Sequence, residues 1–453
     1  MLKIPLPGGA RHGHYCDRIP RRQALRLGST ALFGGLTLPR LLELQAHAAS
    51  QQPARAKSVI FLFLGGGPST IDMWDLKPQA PAEIRGPFEP VATAVPGTFI
   101  SEHLPHCAKI TDKFAIVRSH SHDVNGHATG KHYVMTGFEA AFAEGQSSRI
   151  PTNVLHPSLG SIVSRELGAR GAIPPYITMP NPFSAGGPGF FGAHHAPFVI
   201  ENDPAQPDFE VKDLVPTASS AGERMSLRRK LLTGVEELQA RQSSKTRAGM
   251  MTTYYEKAYD LMTSPDAKAA FDLRSEPESL RAAYGHTSMG QSALLARRIV
   301  EAGGRFVGID HGSWDTHTHN FRTHKEDLMP DADQAFSGLV ADLDDRGLLE
   351  ETLVVMMGEM GRTPRIGDQA GRGHWSMAQS IIFAGGGTRP GALIGATDDH
   401  AAYPVTEPYG VQDVLTTILH ALGVQTGTTY TTPLGRPIPM ANGGRVIREL
   451  FVS

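Results

Sequence analysis

The sequence predicts an α/β protein built on a doubly wound, mostly parallel sheet with helices on both faces, plus a helical insertion. Three observations predict it. Short apolar runs without polar alternation recur along the chain and end in Gly or polar residues, as strands buried on both faces do. Helical patterns alternate with these runs, which is the signature of parallel strands joined by crossover helices. Residues able to carry chemistry crowd at the ends of the runs, where open α/β sheets keep their ligand crevice.

The predicted strands are Ser58–Leu64 (SVIFLFL), Phe114–Arg118, Pro175–Met179, Phe306–Ile309, Leu353–Met357 and Ser380–Ala384. The predicted helices are Ser158–Leu167, Ser288–Ala302, Ala332–Asp344 and Gly410–Leu422. Residues 222–284 depart from the alternation. They are rich in charge and poor in β-branched residues, and read as a nearly continuous helical insertion beside the sheet. A plain pair of surface helices is the simpler alternative. Near the N-terminus, Arg21-Arg22 precede a mildly apolar stretch, Leu25 to Leu42, and Ala46-His47-Ala48 offers a small-residue cleavage pattern. Residues 1–49 therefore read as a twin-arginine export signal, leaving 50–453 as the folded domain, periplasmic or otherwise exported. Pro39 and Arg40 break the run short of the roughly 20 apolar residues that a spanning helix needs, so the mature chain is not expected to span a membrane.

The 453 residues are 40% hydrophobic and 19% charged, an ordinary globular balance. A formal net charge of −2 gives no footing for nucleic acid or an anionic membrane surface as partner. With two cysteines, Cys16 and Cys107, and the first inside the leader, a disulfide framework is excluded. Histidine is abundant at 20 residues, and it clusters.

The densest cluster follows the strand Phe306–Ile309, where Asp310, His311, Asp315, His317 and His319 fall together. Carboxylate and imidazole are the donors that hard or borderline divalent cations prefer, so zinc, calcium and manganese all suit. An extended loop would put Asp315 and His317 on one side, whereas a helical turn would pair Asp315 with His319. Only one of these holds. After the first strand, Gly65-Gly66-Gly67 lead to Asp72 and Asp75, and the glycines allow a close backbone approach to a ligand. No GK[ST] or G-x-G-x-x-G follows, so nucleotide binding is not expected. After the second strand come His120, His122, Asp123, His127, Lys131 and His132. A helix starts there near Ala128, and its N-terminus favours an anion with Lys131 close by. After LVVMM stands Glu359, and a later loop carries His374. Arg362 and Arg372 are candidates to bind an oxyanion in a bidentate way, although pairing with nearby carboxylates is their plainer role.

Taken in order, RRQALRLGSTALFGGLTLPRLL, LGGGPSTIDMWDLKP, HYVMTG, LLARRIVEAGGRFVGIDHGSWDTHTHNF and GEMGRTPRI…GRGHWSMAQSIIFAGGG resemble the bacterial "domain of unknown function 1501" family. The resemblance covers nearly the whole chain. It implies an alkaline phosphatase/sulfatase-like fold with metal-dependent hydrolase ancestry. It also implies departures. Gly65 to Gly67 stand where the superfamily usually has an Asp ligand, and Asp72 comes later. Counting back from Thr136-Gly137, His127 stands where sulfatases carry a modified Cys or Ser, and Lys131 where they carry Arg. Thr129 is then the nearest hydroxyl. The superfamily's D-x-x-x-H pair fits Asp315 and His319, the family's WDTH motif favours His317 equally, and the final His fits His374. The usual later Asp-His pair is replaced by Glu359-Met360.

The resulting expectation is an exported hydrolase of sulfate or phosphate esters, acting on a small molecule or glycan, without the usual nucleophile. Its divalent cation would be held by Asp315, His317 or His319, His374 and further candidates Glu359 and Asp72. His127, Thr129 and Lys131 would be catalytic, and Arg362 and Arg372 would bind the anion. The alternative is a non-catalytic protein that keeps the metal but binds an anionic glycan or a partner.

Overall fold

The apolar runs form one eight-stranded sheet. In a computed structural model, which describes residues 53–140, 155–211 and 261–451, the strands are β1 (Ser58–Leu64), β2 (Phe114–His120), β3 (Tyr176–Met179), β4 (Phe198–Val199), β5 (Phe306–His311), β6 (Thr352–Met357), β7 (Gln379–Ala384) and β8 (Leu393–Ile394). Their order is β8-β2-β7-β6-β1-β5-β3-β4. β1 pairs in parallel with both β5 and β6, and β7 alone runs antiparallel to its two neighbours. The export signal expected over residues 1–49 lies outside the described residues, as does the insertion up to residue 260.

Both faces of each central strand are covered, which is why the runs lack alternation. Ile60, Leu62, Val307, Ile309, Val354 and Met356 point to one face, against helices that include α3 (Ser288–Glu301) and α4 (Met329–Asp345). Val59, Phe61, Phe63, Phe306, Val355 and Phe383 point to the other, against α1 (His127–Thr136), α2 (Leu159–Leu167) and α5 (Val411–Ala421). On that second face Phe61 stacks on Phe306 at 5.9 Å between centroids, and Phe183 meets Phe63 edge-on at 5.7 Å.

The described end of the insertion is not one continuous helix. Two short helices, Pro265–Phe271 and Glu278–Tyr284, are separated by the turn Leu273–Ser275. Pro277, which lacks an N–H to donate to a preceding turn, stands at the N-cap of the second of these helices. A buried guanidinium ties this region to the layer above the sheet. Arg297 on α3 lies 2.6 Å from Glu276, 2.6 Å from Glu301 and 2.8 Å from Asp342 on α4. The Tyr284 hydroxyl donates to the same Asp342 at 2.9 Å.

Topology decides where a site can form. The chain leaves β1 for one side of the sheet, and returns to flank it with β5 on one side and β6 on the other. The loops after β1, β5 and β6 therefore converge at a topological switch point, with the loop after β2 at the same edge.

Several histidines serve packing. Burial lowers His120 to about 3, and its Nδ1–H donates to the Tyr409 carbonyl at 2.9 Å. Burial likewise lowers His311 and His324, each to about 4. The unfolded chain titrates such groups near 6.5. Between about 4 and 6.5 the unfolded state thus binds more protons, so the stability these groups lend is complete above 6.5 and is lost as pH falls. In excess chelator, unfolding free energy should drop between pH 7.5 and 5.0, with a limiting slope of about 1.4 kcal/mol per pH unit for each such histidine. Chemical denaturation at several pH values would measure it, and a flat profile would refute the assignment.

Candidate metal centre

Four ligand atoms meet at the switch point. Those of His127, Asp315, His317 and His374 all lie within 4.8 Å of one another. His127 opens α1 after β2, Asp315 and His317 ride the loop after β5, and His374 lies on a short ribbon pairing Gly361–Arg362 with His374–Trp375. The separations are 3.2 Å from His127 Nε2 to Asp315 Oδ2, 3.0 Å from His317 Nε2 to Asp315 Oδ1, and 3.3 Å from His374 Nε2 to Asp315 Oδ1. The Nε2 atoms of His317 and His374 are 2.9 Å apart. Two donors bound tetrahedrally at about 2.0–2.1 Å stand roughly 3.3 Å from each other, so this set has the dimensions of a zinc-type shell.

The imidazoles are also oriented for a cation. His127 Nδ1–H donates to Glu359 Oε1 at 2.7 Å, which leaves Nε2 buried without a hydrogen bond. His374 Nδ1–H donates to the Asn125 carbonyl at 2.8 Å, which turns its bare Nε2 inward. A partner behind each imidazole, fixing its tautomer, is how proteins arrange metal-binding histidines. The facing Nε2 atoms of His317 and His374, 2.9 Å apart, need a proton or a cation between them.

Electrostatics follow from the surroundings. Burial would raise the Asp315 carboxyl, but the hydrogen bond and charge of Arg362, helped by His127 and His317, hold it below the usual carboxylate range. The hydrogen bond to Glu359 raises His127. Burial lowers His374. The centre nonetheless faces solvent, since the side chains of Asp315 and His317 are 43% and 52% exposed.

The remaining expected site residues are placed elsewhere or do other work. Glu359, 1% exposed, stands behind His127 and accepts the Gly66 N–H at 3.0 and 3.2 Å, so it orients a ligand instead of being one of the four. His319 is not part of the group; it takes a left-handed conformation (φ 52°) where the chain turns into the helix Asn320–Thr323. Asp315 and His317 thus share the cluster at spacing i, i+2, on a loop that turns at Asp315 through a bond from the Thr316 N–H to the Trp314 carbonyl at 3.0 Å. Asp72 is fully buried, and Arg372 clasps it with two bonds of 2.8 Å, while Ser69 and Asn320 donate to it at 2.6 and 2.9 Å. Arg372 therefore takes the plainer of its two roles and presents no fork to an outside anion. Arg362, 2% exposed, is likewise spent inside the protein. It donates to the carbonyls of Gly67 (2.8 Å), Arg372 (3.1 Å), Trp314 (3.0 Å) and Gly66, and to Asp315 Oδ1 at 2.6 Å. The Thr129 hydroxyl donates to the Gly126 carbonyl at 3.1 Å. Lys131 Nζ pairs with Asp310 Oδ2 at 3.1 Å, one helical turn from His127.

The glycine-rich loop after β1 approaches the protein's own backbone. At Gly66 (φ +114°) a Cβ would lie 2.6 Å from the Asp315 nitrogen, so the glycine is needed to seat the ligand loop. Asn125 was not singled out from the sequence. Besides holding His374, its side chain accepts the Ser376 N–H at 2.8 Å. The Asn125-Gly126 pair just ahead of a helix start is the turn signal that marks it.

Residues 56–451 match the family described as protein of unknown function, DUF1501. The chain belongs to this family. No curated protein matches the sequence. Solved structures similar to this DUF1501 chain include the PsFucS1 sulfatase from Pseudoalteromonas sp., at 13% identity and TM-score 0.39, covering 91% of this chain and 78% of that one. The phosphonate monoester hydrolase from Silicibacter pomeroyi is similar at 12% identity and TM-score 0.36, covering 88% and 77%. The alkaline phosphatase from the Antarctic bacterium TAB5 is similar at 11% identity and TM-score 0.36, covering 82% and 99%.

Two changes at residues other than the four ligands should weaken metal binding. Glu359→Gln removes the charge behind His127, and a loss of about 10–100-fold in affinity is expected, as for other partners of metal-bound histidine. At Gly371 a Cβ would lie 1.7 Å from the His317 carbonyl oxygen, so Gly371→Ala must displace the loop bearing His317 and should cost at least as much. Zinc titration by calorimetry reads both, and wild-type affinity in the two variants would contradict this centre.

Proposed function

We propose that this DUF1501 protein is a hydrolase of sulfate or phosphate esters, dependent on one divalent cation and acting on a small-molecule or glycan ester. The observation that carries the proposal is the four-donor cluster at the sheet's switch point, with partners orienting His127 and His374 from behind. Its donors fit zinc best, and calcium and manganese remain within reach of the carboxylate. Held by His127, Asp315, His317 and His374, the cation would supply Lewis-acid polarisation of an ester oxygen or acidify a water.

The chain's own residues do the rest. Arg362 keeps Asp315 ionised and in place. Glu359 keeps the proton on His127 Nδ1. Lys131 lies on the same face of α1 as His127, where its ammonium can stabilise negative charge that develops on the ester. Thr129 is tied to Gly126, and His127 is committed to Glu359 through Nδ1 and to the cation through Nε2, so water is the attacking group in this proposal.

A second proposal is a non-catalytic protein that binds an anionic glycan or a partner. It draws support from the internal commitment of both Arg362 and Arg372, and from four protein donors, which can close a tetrahedral shell. Metal content of the purified protein, with assays on nitrophenyl sulfate and nitrophenyl phosphate, separates the two. The hydrolase proposal expects one ion per chain and turnover of at least one ester. Asp315→Ala with His374→Ala should abolish both, beyond the roughly 10–100-fold cost of a mispositioned ligand. A stoichiometric ion without turnover of these esters or of sulfated glycans would select the binding proposal.

We also propose export through the twin-arginine route, on the strength of Arg21-Arg22 and the small-residue pattern at Ala46-His47-Ala48. No helix among the described residues is long and apolar enough to cross a membrane. In cell fractionation the wild type should reach the periplasm, and a variant carrying both Arg21→Lys and Arg22→Lys should stay in the cytoplasm. An equal distribution of the two would refute this route.

A further inference from the structure

The four donors of the metal centre are not held alike. Three have a partner behind them. Glu359 Oε1 takes the Nδ1–H of His127 at 2.7 Å, the Asn125 carbonyl takes that of His374 at 2.8 Å, and Arg362 donates to Asp315 Oδ1 at 2.6 Å. His317 has none. Its contacts with His374 and Asp315 are both made at Nε2, and no protein group among the described residues bonds its Nδ1. It is also the most open of the four, with a side chain 52% exposed against 35% for His127, 43% for Asp315 and 23% for His374.

The backbone beneath His317 is fixed, in contrast. The Thr316 carbonyl accepts the Arg372 N–H at 3.1 Å, and the His319 N–H donates to the Gln369 carbonyl at 2.9 Å. Gly371 packs so closely that a Cβ there would lie 1.7 Å from the His317 carbonyl oxygen. The imidazole is therefore free to turn toward solvent about its own side-chain bonds while the loop stays in place.

A partner behind a metal-bound imidazole is worth about 10–100-fold in affinity, so His317 is the least firmly held of the three imidazoles by a factor of that order. Three anchored protein ligands with a fourth position open to exchange make a catalytic site, whereas a structural site keeps four closed. We infer that His317 is the exchangeable ligand of this centre: it completes the shell in the resting protein and yields its position to an oxygen of a sulfate or phosphate group. In the exchange the bond from Nε2 to the cation breaks and one from the incoming oxygen forms. Each donor keeps its own lone pair, so no proton or electron is transferred. The inference rests on the metal centre proposed above and names the position at which an anion enters it. Four protein donors are then no bar to a substrate.

The experiment uses the full chain loaded with Co²⁺, whose visible absorption reports the donor set. His317→Ala truncates an exposed side chain and removes little packing. It should keep Co²⁺ within about 10-fold of the wild-type affinity, whereas His127→Ala and His374→Ala should each lose more than about 100-fold. In saturating inorganic phosphate the wild-type and His317→Ala spectra should coincide, since the same three protein donors and one phosphate oxygen surround the ion in both. Equal losses in the three alanine variants would overturn the inference alone. So would a wild-type spectrum that does not respond to phosphate, or one that stays distinct from that of His317→Ala in its presence. A wild type that binds no Co²⁺ would sink the metal centre itself, and this inference with it.

Discussion

A guanidinium almost out of contact with water holds the centre together. Arg362 reaches the carbonyls of the loop after β1, the loop after β5 and the segment before His374, and ends on the Asp315 carboxylate. One planar fork with five donors can do this, and a lysine cannot. The arrangement solves two problems with one charge. Polar backbone from three loops is satisfied inside the protein, and the metal-facing carboxylate is kept ionised before any cation arrives. The Asp72–Arg372 pair behind it works in a similar way, and removing one member of such a buried pair typically costs about 3–5 kcal/mol.

This use of arginine changes the chemistry available at the surface. Neither guanidinium can turn outward without abandoning the loops it joins. The positive charge left near the mouth of the centre is that of Lys131, and it is already shared with Asp310. An ester anion approaching here would therefore meet the cation of the four-donor cluster and a partly neutralised ammonium, in place of an arginine clamp.

Much of the sheet was legible because burial on both faces writes an unbroken apolar run, and Ser58–Leu64, Phe306–Ile309 and Leu353–Met357 are such runs. The two-residue edge strands Phe198–Val199 and Leu393–Ile394 were not, since they are too short to carry a pattern. The reversed direction of Gln379–Ala384 was hidden too, because an apolar run has no arrow. Near the centre, residue types pointed to a metal but not to the division of labour. The choice between His317 and His319 depends on a left-handed turn at His319 that the fold imposes through a hydrogen bond to Gln369. Whether Asp72, Arg362 and Arg372 face a ligand or one another depends on contacts between residues some 50 to 300 positions apart, which local spacing does not encode.

The four donors come from positions 127, 315, 317 and 374, brought together by loops after three different strands. No short stretch of the chain holds more than two of these four, Asp315 and His317, so the complete set exists only in the folded state. An ion held by all four could settle only once the sheet is assembled in its final order, and it would then favour that assembled state by mass action. Occupancy of the four-donor cluster would thus be a certificate of completed folding.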